Sequence, residues 1–237
     1  MKIEKDFLIK YSIKDYQVIK KFKSKKNSVF LLELDSDLWE NKKVVVKKYS
    51  SSEQNRKQEI SVLKKLYKHQ LNVPQLYYQG KNIIVLEYIK GELLIELLFS
   101  KEYKANGISG EINLVLNKLA DWFFNYYRIM NSNNRLTTIL GDVNLRNFIF
   151  SQQEIYGFDF ESCQKGIFEQ DIGRLCAFIL TYDPMFTDWK KKLVHKLKKI
   201  MIEKLKLDCK TLASEFKKEL WAIEQRRNIE IPDFNMI

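Results

Sequence analysis

The first 90 residues alternate short apolar stretches with polar turns, a pattern typical of β-structure. The apolar stretches are rich in valine, isoleucine, phenylalanine and tyrosine, the residue types that favour strands. They predict five strands, at residues 16–22, 28–34, 43–49, 75–79 and 83–88.

One helix interrupts this series of strands. Ser50, Ser51 and Ser52 are candidate N-caps, because a serine hydroxyl can accept a hydrogen bond from an unpaired N–H group of the first helical turn. Apolar side chains then recur on one helical face, at Ile60, Leu63, Leu66 and Tyr67. Pro74 closes the segment, since proline cannot continue a helix. Three strands, a helix and two strands together predict an antiparallel sheet with one helix packed against it.

The remainder of the chain has mainly helical periodicity. The apolar stripe of residues 112–130 comprises Leu114, Leu119, Trp122, Phe123 and Tyr126, and that of residues 189–207 comprises Leu193, Leu197, Ile200 and Met201. Between them, two short apolar runs flank a polar turn within residues 138–161. We therefore expect an α+β fold with two lobes, a sheet-rich N-terminal lobe at residues 1–89 and a mainly helical C-terminal lobe at residues 90–237.

Composition narrows the class of protein. Hydrophobic residues make up 45% of the 237 residues and aromatic residues 13%, which excludes wholesale disorder. The sequence has neither an apolar run long enough to span a membrane nor the continuous apolar core of a secretory signal, so we expect a cytoplasmic protein without a transmembrane segment. Three widely spaced cysteines, Cys163, Cys176 and Cys209, fit neither a disulfide framework nor a zinc site.

The net charge is +11, and more than half of this excess lies in residues 189–219, which contain eleven lysines and four acidic residues. Such a stretch is consistent with the solvated face of an amphipathic helix. It is also consistent with a surface that binds an anionic partner, either a polyanion or an acidic membrane. Composition does not separate these two interpretations.

The segment with the clearest chemical content is GDVNLRNFIF, residues 141–150. Asp142 and Asn147 lie five residues apart in a polar loop, and Asp159 follows in the sequence FDFE. Two carboxylates and a carboxamide can supply hard oxygen ligands for Mg²⁺ and a base close to a hydroxyl, the set that phosphoryl transfer requires. Ordinary turn chemistry is the alternative for each residue taken alone, because Asp and Asn are common in loops.

At these strings, LGDVNLRN and GFDFE, the sequence resembles the protein-kinase-like phosphotransferases of the aminoglycoside and choline kinase type. The resemblance implies a bilobal protein-kinase-like fold, with Asp142 as the catalytic base and Asn147 and Asp159 as Mg²⁺ ligands. It also implies that Asp171 holds the catalytic loop through hydrogen bonds to its backbone. The sequence departs from the family at Leu140, where relatives have histidine.

Residues of the first lobe match the family in their order and spacing. A lysine at the end of the third strand, Lys47, resembles the lysine that binds the ATP phosphates, although Lys48 stays open as an alternative because strand register is not fixed by sequence. Glu59, twelve residues later, resembles the helix glutamate that pairs with this lysine.

Two further segments of this lobe resemble parts of the nucleotide site. Residues 85–91 resemble the hinge between the lobes, so that the resemblance implies adenine contacts from Glu87 and Ile89; an edge strand followed by a turn is the alternative. A glycine-rich loop is absent, but Asn27 and Ser28 resemble the phosphate-binding turn of aminoglycoside-type relatives.

These features predict an ATP- and Mg²⁺-dependent kinase that transfers a phosphoryl group to a hydroxyl acceptor, with a small molecule as the favoured acceptor. A kinase of a macromolecular or anionic acceptor is one alternative, and the short segments available for an acceptor pocket leave it open. A nucleotide-binding pseudokinase is the second alternative, favoured by Leu140 and by the lack of a glycine-rich loop. A basic nucleic-acid-binding protein is a third, supported by charge alone.

Overall fold

A computed structural model describes residues 3–24, 26–36, 42–50, 53–102, 107–131 and 137–232. The chain divides into two compact units, Met1–Lys90 and Gly91–Ile237. The first contains an antiparallel sheet and the second is mainly helical, so the predicted α+β fold class is confirmed.

The first unit contains a five-stranded antiparallel sheet in the order β1-β2-β3-β5-β4. Its strands are β1 (Asp15–Phe22), β2 (Ser28–Asp35), β3 (Lys43–Lys48), β4 (Leu76–Gln79) and β5 (Ile83–Glu87). All five predicted strands are present, with ends within one residue of the prediction. Val44 and Val46, two residues apart in β3, lie on one face of the strand and are fully buried in the core cluster of this unit, while Lys43 and Lys48 at the ends of the strand are exposed.

Two helices accompany the sheet, α1 (Lys5–Lys10) and α2 (Glu53–Lys68). Helix α2 is the predicted one, and it buries Ile60, Leu63 and Leu66, whereas Tyr67 is 47% exposed and does not belong to the buried face as predicted. Of the three predicted N-caps, Ser51 and Ser52 lie outside the described residues, and Ser50 lies three residues before the first residue of the helix.

Helix α1 was not predicted from the sequence. Its Phe7 is fully buried and joins a core cluster with Ile3 and Ile13 and with side chains from one face of the sheet, namely Leu32, Leu34, Val44, Val46, Ile83 and Val85. Just before the helix, the Glu4 carboxylate accepts hydrogen bonds from the backbone N–H groups of Lys81 (3.2 Å) and Asn82 (3.3 Å) and from the Tyr78 hydroxyl (3.1 Å). Glu4 therefore ties the segment before α1 to the turn between β4 and β5.

The second unit contains five helices, two small sheets and a short 3₁₀ turn among its described residues. The helices are α3 (Leu94–Glu102), α4 (Gly110–Met130), α5 (Phe168–Thr181), α6 (Asp188–Leu205) and α7 (Cys209–Arg227). One sheet has the order β6-β8-β9 and the other pairs β7 with β10, from strands β6 (Glu92–Leu93), β7 (Thr137–Ile139), β8 (Phe148–Ser151), β9 (Glu154–Gly157) and β10 (Gln164–Gly166). The two apolar runs predicted around a polar turn are β8 and β9, which form a hairpin.

Helix α4 carries the aromatic core of this unit. Ser109 caps its N-terminus by accepting a hydrogen bond from the N–H of Ile112. The predicted stripe is buried at Leu119, Trp122, Phe123 and Tyr126, but Leu114 is 48% exposed, which contradicts its placement on the buried face. In α6 the predicted stripe, Leu193, Leu197, Ile200 and Met201, is buried throughout.

Helix α3 was not predicted, and its last residue, Glu102, meets α6 in a buried ion pair. The Lys190 ammonium lies 3.2 Å from the Glu102 carboxylate and 4.7 Å from the Phe99 ring centroid, with no exposed side-chain surface. Within the part of the chain that the structure describes, no helix combines the length and the apolar content needed to cross a membrane.

Candidate active site

The predicted lysine–glutamate pair is present in the first unit. The Nζ atom of Lys47 on β3 lies 2.7 Å from Oε2 of Glu59 on α2, and the two side chains are only 7% and 1% exposed. Lys48 points to the other face of the strand and is exposed. Of the two candidates that the sequence left open, Lys47 is therefore the one that pairs with Glu59.

A third side chain, Tyr49, contacts this pair and was missed in the sequence. Its hydroxyl donates a hydrogen bond to the same Glu59 oxygen, Oε2, and the Lys47 ammonium lies 5.2 Å from the centroid of its ring. Tyr49 is 8% exposed. The spacing of Lys47 and Tyr49 was the available signal for this contact, since residues i and i+2 of an extended segment point to the same side.

The turn predicted to bind phosphate lies at the Lys47 end of the sheet. Ser28 pairs with Lys48 and Val29 with Lys47 across β2 and β3, so Asn27 comes immediately beyond this end of the ladder. The Asn27 side chain accepts a hydrogen bond from the N–H of Ser50 at 3.4 Å. The structure thus brings Asn27, Ser28 and Lys47 to the same end of the β2–β3 ladder.

The predicted hinge begins at the opposite end of β5. Glu87 pairs with Val44, whereas Ile84 pairs with Lys47. Glu87 therefore lies three residues, or about 10 Å, along β5 from the residue opposite Lys47. The N–H of Glu87 donates to the carbonyl of Gln75 at 2.9 Å, which leaves the Glu87 carbonyl as its candidate adenine contact. Ile89 follows the strand and is buried.

In the second unit, the loop before Asp142 is held by the buried side chain of Asp171. Its carboxylate accepts hydrogen bonds from the N–H groups of Leu140 (2.7 Å) and Gly141 (3.0 Å) and from the Tyr127 hydroxyl (2.9 Å). The hydrogen bonds to the loop backbone that the resemblance implied for Asp171 are therefore confirmed. Burial raises the pKa of Asp171 to about 6, and the three donors and Arg174 act in the opposite direction.

Gly141 gives this loop its shape. Its φ of +76° lies in the left-handed region, and a Cβ atom there would lie 2.2 Å from the carbonyl oxygen of Ser162. Glycine is required at this position for both reasons. The chain can therefore turn sharply into Asp142.

Asn147 is the last residue of a 3₁₀ turn formed by Leu145–Asn147, and Asp142 lies three residues before this turn. The Asn147 amide nitrogen donates to the Asp142 carbonyl at 2.8 Å, so its carboxamide oxygen is the atom available as a metal ligand. The side-chain nitrogen of Asn144 lies 3.5 Å from Oδ1 of Asp142, whose carboxylate is exposed.

Asp159 lies next to this turn, because the N–H of Phe158 donates to the carbonyl of Asn147 at 3.0 Å. Its φ of +67° is in the left-handed region, a conformation that Asp tolerates better than most residues and that is frequent at functional sites. Asp142, Asn147 and Asp159 line one small pocket. The structure therefore brings together the three residues predicted to bind metal and substrate.

Glu161 adds a second carboxylate beside Asp159. Oxygen atoms of the two side chains lie within 4.8 Å of each other, and Glu161 is buried. In the sequence FDFE, the resemblance to kinases assigned a role to Asp159 but none to Glu161. Carboxylate and carboxamide oxygens are the ligands that Mg²⁺ and Ca²⁺ prefer, so this donor set fits a hard divalent cation.

The basic stretch at residues 189–219 forms α6 and most of α7. Lys191, Lys192, His195 and Lys196 of α6 line an open groove of about 790 Å³ together with Ser109 and neighbouring residues at the start of α4. An anionic partner for this surface stays a prediction.

Comparisons with known proteins place these features in a family. The sequence profile of the RIO domain matches residues 4–178, which include every residue of the predicted site. No curated protein sequence matches the chain significantly.

Many solved structures resemble this fold. One is amicoumacin kinase in complex with AMP-PNP, Ca²⁺ and Ami, with a TM-score of 0.58 and 15% sequence identity, over 97% of this chain and 88% of that chain. This likeness confirms the protein-kinase-like fold. Because the RIO domain profile covers well over half of the residues, the chain belongs to the RIO domain family of atypical, protein-kinase-like ATP-dependent phosphotransferases.

Proposed function

We propose that the protein transfers the γ-phosphoryl group of ATP to a hydroxyl group with the help of Mg²⁺. The observation that carries this proposal is the single pocket lined by Asp142, Asn147 and Asp159. A carboxylate base and hard metal ligands are the protein groups that phosphoryl transfer needs close to the reacting atoms.

Each residue has one role in this proposal. Lys47, paired with Glu59, binds the ATP phosphates, and Glu87 and Ile89 contact the adenine through their backbone. Backbone N–H groups at Asn27 and Ser28 add phosphate contacts.

Asn147 and Asp159 hold the Mg²⁺ ion, which when bound neutralises charge on the phosphate oxygens. Asp142 accepts the proton of the acceptor hydroxyl and orients its oxygen toward the phosphorus. The exposed position of the Asp142 carboxylate supports this role, because an acceptor must reach it.

A small hydroxylated molecule is the acceptor we favour, by analogy with the aminoglycoside and choline kinases that the motifs resemble. An anionic acceptor is the second candidate, and the lysine-lined groove at the start of α6 supports it.

Transfer of labelled phosphate from ATP to sugars, amino alcohols, aminoglycosides and their phosphorylated forms tests the reaction. Asp142→Asn and Asp159→Asn should each reduce transfer by several orders of magnitude, because positioning and charge neutralisation supply most of the rate. Asp6→Asn changes the same chemical group at an exposed position of α1 and serves as the control. Nucleotide binding without any transfer would indicate a pseudokinase, and near-native transfer in Asp142→Asn would contradict its role as the base.

A further inference from the structure

The hydroxyl of Tyr49 and the ammonium of Lys47 share one acceptor atom, Oε2 of Glu59. The ammonium lies 2.7 Å from this oxygen, and the hydroxyl is also within hydrogen-bonding contact. All three residues are buried. A carboxylate in such a position is stabilised by each additional donor, because little water is available to replace it.

Tyr49 is itself fixed by the sheet. Its N–H donates to the carbonyl of Asn82 at 2.9 Å, one residue beyond the pairing of Lys48 with Ile83. The ring therefore starts from a defined backbone position, whereas Glu59 comes from α2, a separate element. The hydroxyl thus links the end of β3 to the helix that carries the glutamate.

The two charged side chains are long and flexible, and ordering each of them costs rotamer freedom. A second donor on Glu59 reduces the number of rotamers that its side chain can adopt. The ammonium of Lys47 is then restrained from two sides, by the carboxylate at 2.7 Å and by the face of the Tyr49 ring at 5.2 Å.

We propose that Tyr49 is a positioning residue that holds Glu59, and through it Lys47, in the phosphate-binding arrangement. This inference rests on the proposed function, because it assigns Lys47 to the ATP phosphates.

Tyr49→Phe removes only the hydroxyl and keeps the ring beside Lys47. We expect the affinity for AMP-PNP with Mg²⁺ to fall about 12- to 160-fold, the range for loss of one hydrogen bond to a charged group. Affinity for adenosine, which carries no phosphate, should change less than about twofold. This contrast separates positioning of Lys47 from a general loosening of the fold, which would weaken both ligands.

Tyr67→Phe is the matched control, because Tyr67 lies on α2 with its side chain 47% exposed. Equal loss of adenosine and AMP-PNP binding in Tyr49→Phe, or no loss of either, would overturn the role of Tyr49.

Lys47→Met tests the underlying function separately. If Lys47→Met loses AMP-PNP affinity and Tyr49→Phe does not, the ATP site stands and the inference fails. If Lys47→Met keeps full affinity, the proposed phosphate site is wrong and the role of Tyr49 falls with it. Urea unfolding of each variant reports its stability independently of ligand.

Discussion

Replacing Asp171 with asparagine should destabilise the loop before Asp142 in a pH-dependent way. The carboxylate accepts three hydrogen bonds, two of them from the backbone of Leu140 and Gly141. Asparagine has one acceptor oxygen, so its amide group must face at least one of these donors. An unsatisfied buried donor costs about 1–3 kcal/mol, which sets the expected loss of unfolding free energy at pH 8.

The pH dependence follows from the pKa of Asp171, which burial raises from 3.8 to about 6. Between these values the folded state binds more protons than the unfolded state, so the stabilisation contributed by this group is greatest below about pH 4 and is lost as the pH rises through 6. The free energy of unfolding of the wild-type protein should therefore exceed that of Asp171→Asn by roughly 1 kcal/mol more at pH 5 than at pH 8.

Urea unfolding at pH 5, 6, 7 and 8 measures this gap, with Asp6→Asn as the control for an exposed aspartate. A gap below about 0.5 kcal/mol at every pH would refute the claim that Asp171 satisfies the loop backbone. A gap that widens as the pH rises would refute the direction of the pKa shift.

Three further predictions concern the same elements. Gly141→Ala should lower the free energy of unfolding by about 2–4 kcal/mol, because it combines a left-handed φ with a backbone overlap. A Cβ atom at Gly107 meets no atom within 4 Å, so Gly107→Ala should change this free energy by less than about 0.5 kcal/mol. Equal effects of the two substitutions in urea unfolding would contradict this. Lys47→Met should lower the free energy of unfolding by about 3 kcal/mol in urea, because it removes the cation from the buried ion pair with Glu59. Lys48→Met should leave this free energy nearly unchanged. The reverse order of the two effects would exclude Lys47 as the buried partner of Glu59. Chelation of divalent metal by EDTA should reduce the rise in Tm that AMP-PNP produces. Asp159→Asn should show the same reduced rise in Tm even with Mg²⁺ present. A full rise in Tm with AMP-PNP in EDTA would contradict a role for the metal.

The strands were predictable because their signal is local. β-branched and aromatic residues separated by polar turns mark each of the five strands, and cross-strand pairing then follows in an antiparallel sheet. Helix faces were predicted less accurately at their margins. Tyr67 and Leu114 each lie near an apolar stripe, but neighbouring elements decide whether the edge of a stripe is covered, and both side chains remain exposed.

Two helices escaped prediction for different reasons. Helix α1 has six residues and no side-chain cap, so its stability comes from Phe7, which is buried in the core of the first unit. Helix α3, with the sequence LIELLFSKE, is short and apolar on more than one side, a pattern that periodicity alone cannot distinguish from a buried strand.

The linear motif predicted most of the candidate site, because Asp142, Asn147 and Asp159 are close in sequence and one hairpin brings them to one pocket. Their catalytic roles stay predictions. Tyr49 and Glu161 could not be assigned in the same way, since their significance depends on which side chains they meet in the folded chain.

The contact made by Glu4 has a practical consequence for anyone who prepares this protein. Its carboxylate closes the β4–β5 turn, and Phe7 fills the core beneath the sheet that carries Lys47. Recombinant versions trimmed by a dozen amino acids at the beginning would expose that apolar surface to water, and they should express as aggregates.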